Sequence, residues 1–196
     1  MIRDILIATH NPDKLKELEE LVNPLKLRLH FLRELPGFYP TEEDQETLQK
    51  NAMKKALEAA KYSGLITLAD DTGLFIEALN GAPGIMSARF AGNSCSYSDN
   101  RQKVLRLLQD IQIRKAYFKT AVALSAPDGI IAVTEGRLEG EITTEERGNN
   151  GFGYDSIFAV NGKTYAEMNA DEKNRLSHRA LAIKSIIPIL QKIINN

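Results

Sequence analysis

The 196-residue chain has one cysteine, Cys95. No disulfide can form within it, which fits a reducing compartment and a cytoplasmic protein. Cys95 lies among Ser94, Ser96 and Tyr97 with no histidine beside it, and reads as an ordinary loop thiol. No stretch approaches the roughly 20 apolar residues of a membrane helix. The first nine residues have neither the length nor the cleavage site of a signal peptide. An excess of one charge is also missing. The 25 basic and 26 acidic side chains leave a formal charge of -1, which argues against a dedicated nucleic-acid binder. A nucleotide is not excluded, because a triphosphate needs only a few convergent cations. The three histidines, His10, His30 and His178, show no zinc spacing. There is no Gly-x-x-x-x-Gly-Lys-Ser/Thr loop, no Gly-x-Ser-x-Gly elbow and no recognisable Cys-His pairing.

What is present is an ordinary globular composition, 43% hydrophobic and 26% charged, long enough for one domain or one domain with two lobes. Ile5–Ala8 predicts a buried strand. Asn11 and Pro12 then predict a helix start, with Leu15, Leu18 and Val22 at helical spacing before Asn23-Pro24. Leu27–Leu32 predicts a second strand, and a helix follows over about 46–61, ended by Gly64. Leu65–Ala69 predicts a short strand ending at Asp70-Asp71-Thr72-Gly73, and Leu74–Leu79 another. Ser98 or Asp99 can cap a helix that buries Val104, Leu107, Leu108 and Ile111. Pro127-Asp128-Gly129 between two apolar runs signals a hairpin. A strand is expected near 157–160. A single final helix over about 172–194 would bury Leu176, Ala180, Ile183, Ile187, Leu190 and Ile194, with a kink at Pro188. Interleaved helices and strands plus a hairpin give an α/β class with a mixed, strongly twisted sheet.

Four clusters could carry chemistry. Thr9-His10-Asn11-Pro12-Asp13-Lys14 spans a strand-to-helix junction, where unpaired amides and the positive dipole end favour phosphate. The same residues also describe a plain Asn-capped helix with a solvated lysine. Asp70-Asp71 places two carboxylates side by side, which costs energy unless cations or donors compensate. Mg²⁺ takes one or two carboxylates plus phosphates and waters; a simple Asp-Thr-Gly turn is the other reading. Glu42, Glu43 and Asp44 could add a ligand or be a solvated acidic loop. Gly148-Asn149-Asn150-Gly151-Phe152-Gly153-Tyr154-Asp155 has three glycines that allow close backbone approach. Phe152 and Tyr154 could stack on a base or plug the core, and Asp155 could accept from a ring N–H. Lys173, Ser177 and His178 would lie close on one helix surface, with Arg179 on a neighbouring face.

Together, in this order and spacing, the clusters resemble the inosine/xanthosine triphosphate pyrophosphatase family (XTP/dITP diphosphatases). The likeness runs from Thr9-x-Asn11-x-x-Lys14 through Glu42-Glu43 and Asn51-Ala52, Ala69–Leu74, Gly81–Gly92 and Gly151–Asp155 to Lys173 and Ser177-His178-Arg179. It departs at Thr72 for a usual Ser, Ser156 for Pro, Gln45 and Leu48 for Gly and Phe, and Asn149-Asn150 for a smaller pair. The resemblance implies two lobes around a long sheet with the nucleotide in the cleft between them. It implies a homodimer, with Gly81–Gly92 a candidate surface. It also implies Mg²⁺-dependent cleavage of a non-standard purine triphosphate to monophosphate and pyrophosphate. By the same carry-over Asp71 is the general base and a metal ligand, with Glu42 or Glu43 beside it and Asp70 in support. Thr9, Asn11 and Lys14 hold the triphosphate, with His10, Pro12 and Asp13 among the substrate-binding residues; Thr72 contacts substrate, and Phe152, Gly153, Tyr154, Asp155, Lys173, His178 and Arg179 line the base and phosphate pocket. Competing readings are a pyrophosphatase for other modified nucleotides and a catalytically silent nucleotide-binding module.

Overall fold

Ile5, Leu6 and Ile7 are all buried, so both faces of the strand they form are covered, as expected of a central strand in a parallel ladder. In the computed structural model, which describes residues 4–195, this strand is β1 (Asp4–Ile7). It pairs in parallel with β2 (Arg28–Phe31) on one side and β3 (Ile66–Ile76) on the other. The remaining strands are β4 (Pro83–Gly84), β5 (Lys115–Ala126), β6 (Gly129–Ile142), β7 (Phe158–Val160) and β8 (Lys163–Thr164). The sheet runs β2-β1-β3-β5-β6-β7-β8, with β4 antiparallel to β3. It is a twisted, open, mixed sheet with flanking helices. The β5–β6 hairpin turns at Pro127-Asp128, as predicted, and both strands run longer than the apolar pattern suggests.

The helices are α1 (Pro12–Val22), α2 (Leu48–Ser63), α3 (Tyr97–Leu107), α4 (Ala170–Leu176) and α5 (His178–Asn195). α1 starts where Asn11 and Pro12 direct it. α2 starts at a Thr47 cap and ends at Gly64, whose φ of 73° is left-handed and suits glycine.

Several expectations are corrected. β3 does not stop at the aspartate pair but runs through it to Ile76, and residues 77–79 form a 3₁₀ turn. The cap of α3 is Ser96: Asp99 reaches back to the Ser96 N–H at 2.8 Å, closing a capping box. Leu107 at the end of α3 is 43% exposed, while Leu108 is fully buried. The single C-terminal helix is two helices. Ser177 adopts an extended ψ of 153° and separates α4 from α5. Pro188 lies inside α5, and Ile186 rather than Ile187 is the fully buried residue there.

The chain divides into two units. The first runs to Asp71 and includes Thr120–Gly136 and the chain from Arg179. Its core joins Ile5, Ile7, Ile66, Leu68, Val122 and Leu124 of the sheet to Leu18 and Val22 of α1 and Ile183, Ile186 and Leu190 of α5. The second comprises Thr72–Lys119 and Arg137–His178. Its core is more aromatic, with Phe118, Tyr154, Phe158 and Tyr165 among Leu74, Ile76, Val104 and Ile142. Burial of each such side chain contributes about 1.5–3 kcal/mol.

Candidate active site

Side chains alternate across a strand. Because β3 passes straight through the aspartate pair, Asp70 and Asp71 point to opposite faces. Asp70 shares the parity of Ile66 and Leu68, which face α1 and α5. It meets cations from those two helices. Lys14 Nζ lies 3.4 Å from Asp70 Oδ2, and Arg179 Nε lies 3.2 Å from the same oxygen. Arg179, only 1% exposed, also binds Glu17 of α1 through Nη1. Burial opposes ionisation of Asp70, but Lys14, Arg179 and Lys55 outweigh it and hold the carboxyl well below the usual range. Arg179 is in turn held above its ordinary value: burial lowers it, and the Glu17 and Asp70 carboxylates more than compensate.

Asp71 faces α2. Asn51 Nδ2 donates to Asp71 Oδ2 at 3.0 Å, and Lys55 Nζ lies 3.7 Å from Asp71 Oδ1. Lys55 also donates to Glu43 Oε1 at 2.6 Å. Burial pushes the Asp71 carboxyl up and the Glu43 charge adds to this, against the pull of Lys55, Lys14 and Asn51. Lys55 is raised: burial lowers it, but the charges of Asp71, Glu43 and Asp70 prevail. Two adjacent aspartates thus have opposite electrostatic settings.

Of the acidic pair upstream, Glu43 reaches this cluster and Glu42 does not. Glu42 is exposed, and its carbonyl accepts from Lys54 Nζ at 3.0 Å. At the start of α1, Asn11 Oδ1 accepts from the Asp13 and Lys14 amides at 2.9 and 3.1 Å, and Thr9 Oγ1 from the Asn11 amide at 3.2 Å. These amides, expected to meet phosphate, are capped from within. His10 and Pro12 are exposed beside them, and Asp13 and Lys14 half-buried. Sequence reasoning missed Glu17 and Lys55 and saw Asn51 only as part of a motif. The available signal was the Asn51/Lys55 spacing of four, which puts both on one face of α2.

The second unit gathers the other expected residues. Lys173 Nζ donates to Asp155 Oδ2 at 2.5 Å, and the Phe152 N–H donates to the same oxygen at 2.9 Å. Asp155, expected to accept from a base, is instead buried and bonded within the loop. A Cβ on Gly151 would lie 2.0 Å from Asp155 Oδ2, and its φ is 72°, so only glycine fits there. Tyr154 is a core plug rather than a stacking face: it is buried, and its hydroxyl donates to the Ser87 carbonyl at 2.8 Å. Phe152 is half-buried, with Lys173 Nζ 5.0 Å from its ring centre. The Gly153 carbonyl accepts from Arg101 at 3.0 Å. His178 stacks on Phe118 with centroids 4.4 Å apart and lies 3.4 Å from the Tyr165 hydroxyl. Thr72 is half-buried within β3. The break at Ser177 corrects the expectation that Lys173, Ser177 and His178 share one helix face. Arg179, expected to line the base and phosphate pocket, is closed between Glu17 and Asp70.

An aspartate pair set among lysines, an arginine and a third carboxylate on an α/β sheet has the charges to meet a polyanion and a hard cation. Residues 5–189 match the model of the Ham1 family. The chain is 43% identical over 193 residues to a dITP/XTP pyrophosphatase of Desulforamulus reducens, covering 96% of each chain. It is 42% identical over 195 residues to the dITP/XTP pyrophosphatase of Bacillus subtilis, covering 97% of this chain and 98% of that one. The solved structure of a HAM1 protein from Coxiella burnetii superposes with a TM-score of 0.87 at 40% identity, covering 98% of this chain and all of that one. The chain belongs to the Ham1 family.

Proposed function

We propose that this protein hydrolyses non-standard purine nucleoside triphosphates (dITP, ITP and XTP) to the monophosphate and pyrophosphate, clearing them before incorporation into nucleic acid. The observation that carries the chemistry is the split setting of Asp70 and Asp71. Adjacent carboxyls whose environments drive their proton affinities apart suit different tasks. Asp70, held ionised between Lys14 and Arg179, anchors fixed positive charge. Asp71, raised by burial, is the general base that orients and deprotonates the water attacking the α-phosphorus. Lys14 and Lys55 lower the repulsion between that water and a polyanionic substrate. The base side is assigned to the Phe152 ring and the glycine-loop backbone, held in place by the Asp155–Lys173 pair. Donors aimed at a 6-oxo group meet the adenine 6-amino group head-on, and unpaired buried donors reject a wrong ligand by about 10⁴-fold or more.

Glu43 and Asp71 are the residues that would hold Mg²⁺, a cation of hard oxygen ligands. They fit it: both carboxylates already share one cation, the Lys55 ammonium, at 2.6 and 3.7 Å. Mg²⁺ there would supply charge neutralisation on phosphate oxygens. We further propose a cytoplasmic homodimer. A lone free cysteine fits a reducing compartment, and Met86 within the Gly81–Gly92 segment is 42% exposed. Among the described residues no helix is long and apolar enough to cross a membrane. Light scattering at micromolar concentration should give a dimer, and a monomer would count against it.

The test of function is pyrophosphate release from dITP, ITP, XTP, GTP and ATP in parallel, with and without chelator. Chelator-sensitive turnover of the first three, with GTP and ATP slow, is expected. Equal turnover of all five would keep the pyrophosphatase and remove the base selectivity.

A further inference from the structure

Asn51 is an amide with almost no access to solvent, 2% exposed, in the first turn of α2. Both ends of its side chain are engaged. Its Oδ1 accepts the main-chain N–H of Gln45 at 3.0 Å, and its Nδ2 donates to Asp71 Oδ2 at 3.0 Å. A backbone N–H can only donate and a carboxylate can only accept, so these partners fix which way the amide faces. One turn further along the same helix face, Lys55 repeats the pattern. It donates to Glu43 Oε1 at 2.6 Å and lies 3.7 Å from Asp71 Oδ1. Two rungs on one helix therefore connect the acidic loop to the aspartate, one through main chain and amide, the other through charge.

We infer that Asn51 is a positioning residue, which sets the Asp71 carboxylate and the Glu43 loop in one register for a divalent cation. For turnover this rests on the pyrophosphatase reading above and for the cation on the Glu43–Asp71 site proposed there; the hold of Asn51 on Asp71 and the loop stands on the geometry. The rungs differ in what a cation does to them. A divalent ion arriving between Glu43 and Asp71 competes with the Lys55 ammonium for the same oxygens. The Asn51 bonds are neutral at the amide end and engage Asp71 Oδ2 and the Gln45 N–H, which leaves the oxygens nearest Lys55 to the ion. Asn51 thus keeps the two carboxylates in place when Lys55 gives way. Asparagine suits the task because it offers one donor and one acceptor at a fixed separation. Aspartate would put a third carboxylate against Asp71, and leucine would have the shape without either bond.

The experiment uses the full chain as wild type, Asn51→Leu, Asn51→Ala and Gln45→Ala. Mn²⁺ binding to the nucleotide-free protein is read by electron paramagnetic resonance, dITP turnover by pyrophosphate release, and folding by thermal unfolding. Loss of a group that orients a metal ligand typically lowers metal affinity or activity about 10–100-fold. Asn51→Leu is expected to weaken Mn²⁺ binding and lower kcat within that range, with KM for dITP changed much less than kcat. Asn51→Ala serves if the leucine variant does not unfold cooperatively. Gln45→Ala should match wild type, because Asn51 meets only its main-chain N–H, and the side-chain bond it would lose is an exposed one to Asp44. A folded Asn51 variant with a lower melting temperature but wild-type Mn²⁺ affinity and kcat would overturn the inference. Absence of dITP turnover in the wild type would sink the pyrophosphatase reading instead, and the Mn²⁺ titration would still decide whether Asn51 sets the carboxylates.

Discussion

The two units handle buried charge differently. In the first, side chains from three helices and a loop converge on Asp70 and Asp71, and charges of both signs alternate through Glu17, Arg179, Asp70, Lys14, Asp71, Lys55 and Glu43. In the second, Lys173 and Asp155 form a buried pair that staples a glycine loop beside an aromatic stack of Phe118, His178 and Tyr165. The difference matches the roles proposed for the two sets of residues. Polyanionic phosphate needs many charges held apart by structure, whereas a flat base needs shape and a few fixed dipoles.

The largest expected effect tests the first unit alone. Asp71→Asn should lower turnover by about 10²–10⁴-fold, the usual contribution of a general base. Calorimetric nucleotide binding should be largely retained, and its melting temperature should equal or exceed that of wild type, since burial already disfavours this charge. Substantial residual turnover would remove Asp71 from the base role.

Next come the ion pairs. Arg179→Met should destabilise by about 3–5 kcal/mol, because it removes one of the two close cations of buried Asp70 and the guanidinium bound to Glu17. Lys173→Met takes the cation from buried Asp155, leaving the Phe152 N–H on its carboxylate, and should cost a similar amount on the same grounds. Chemical denaturation measures both. If Lys173→Met proved nearly neutral, the second unit would not depend on its pair for stability, and the contrast between units would sharpen. A smaller loss is expected for Gly151→Ala. The left-handed φ alone costs about 1–2 kcal/mol, and the contact with Asp155 adds to it, so the loss should exceed that range in the same assay.

The smallest effect lies at the sheet edge. His30 is raised above its ordinary value, chiefly by its hydrogen bond to Asp4 and also by Glu34, against desolvation. Its contribution is present in full below about pH 6.5, the unfolded value, and is lost as pH rises through the higher folded value. The pair is partly exposed, so the slope should be slight. His30→Gln should flatten stability against pH in that window while leaving turnover unchanged. An unchanged slope would remove His30 as its source.

Local chemistry was legible where one residue type does one job. Asn11-Pro12 marked the start of α1, Gly64 the end of α2, and Pro127-Asp128 the hairpin. The Ham1 family was legible because motifs spread along nearly the whole chain had to coincide. The failures have a common cause. Asp70-Asp71 read as a strand end because two carboxylates rarely sit inside a buried strand; Lys14, Arg179, Lys55 and Asn51, distant in sequence, make it tolerable. Tyr154 stayed open between stacking face and core plug, and Ser177 read as mid-helix, because neither the Ser87 carbonyl nor the extended turn after α4 is encoded nearby.

By itself the sequence determined the α/β class, the element order to within a few residues, the family and the set of polar residues from which a site can be built. Tertiary structure alone decided how those residues are spent. It put Asp70 and Asp71 on opposite faces of β3, chose Glu43 over Glu42, enlisted Asn51 and Lys55, and closed Arg179 between Glu17 and Asp70. The reason is physical: a side chain's identity follows from its codon, but the cost of its charge depends on burial and on neighbours that only folding brings within a few ångströms.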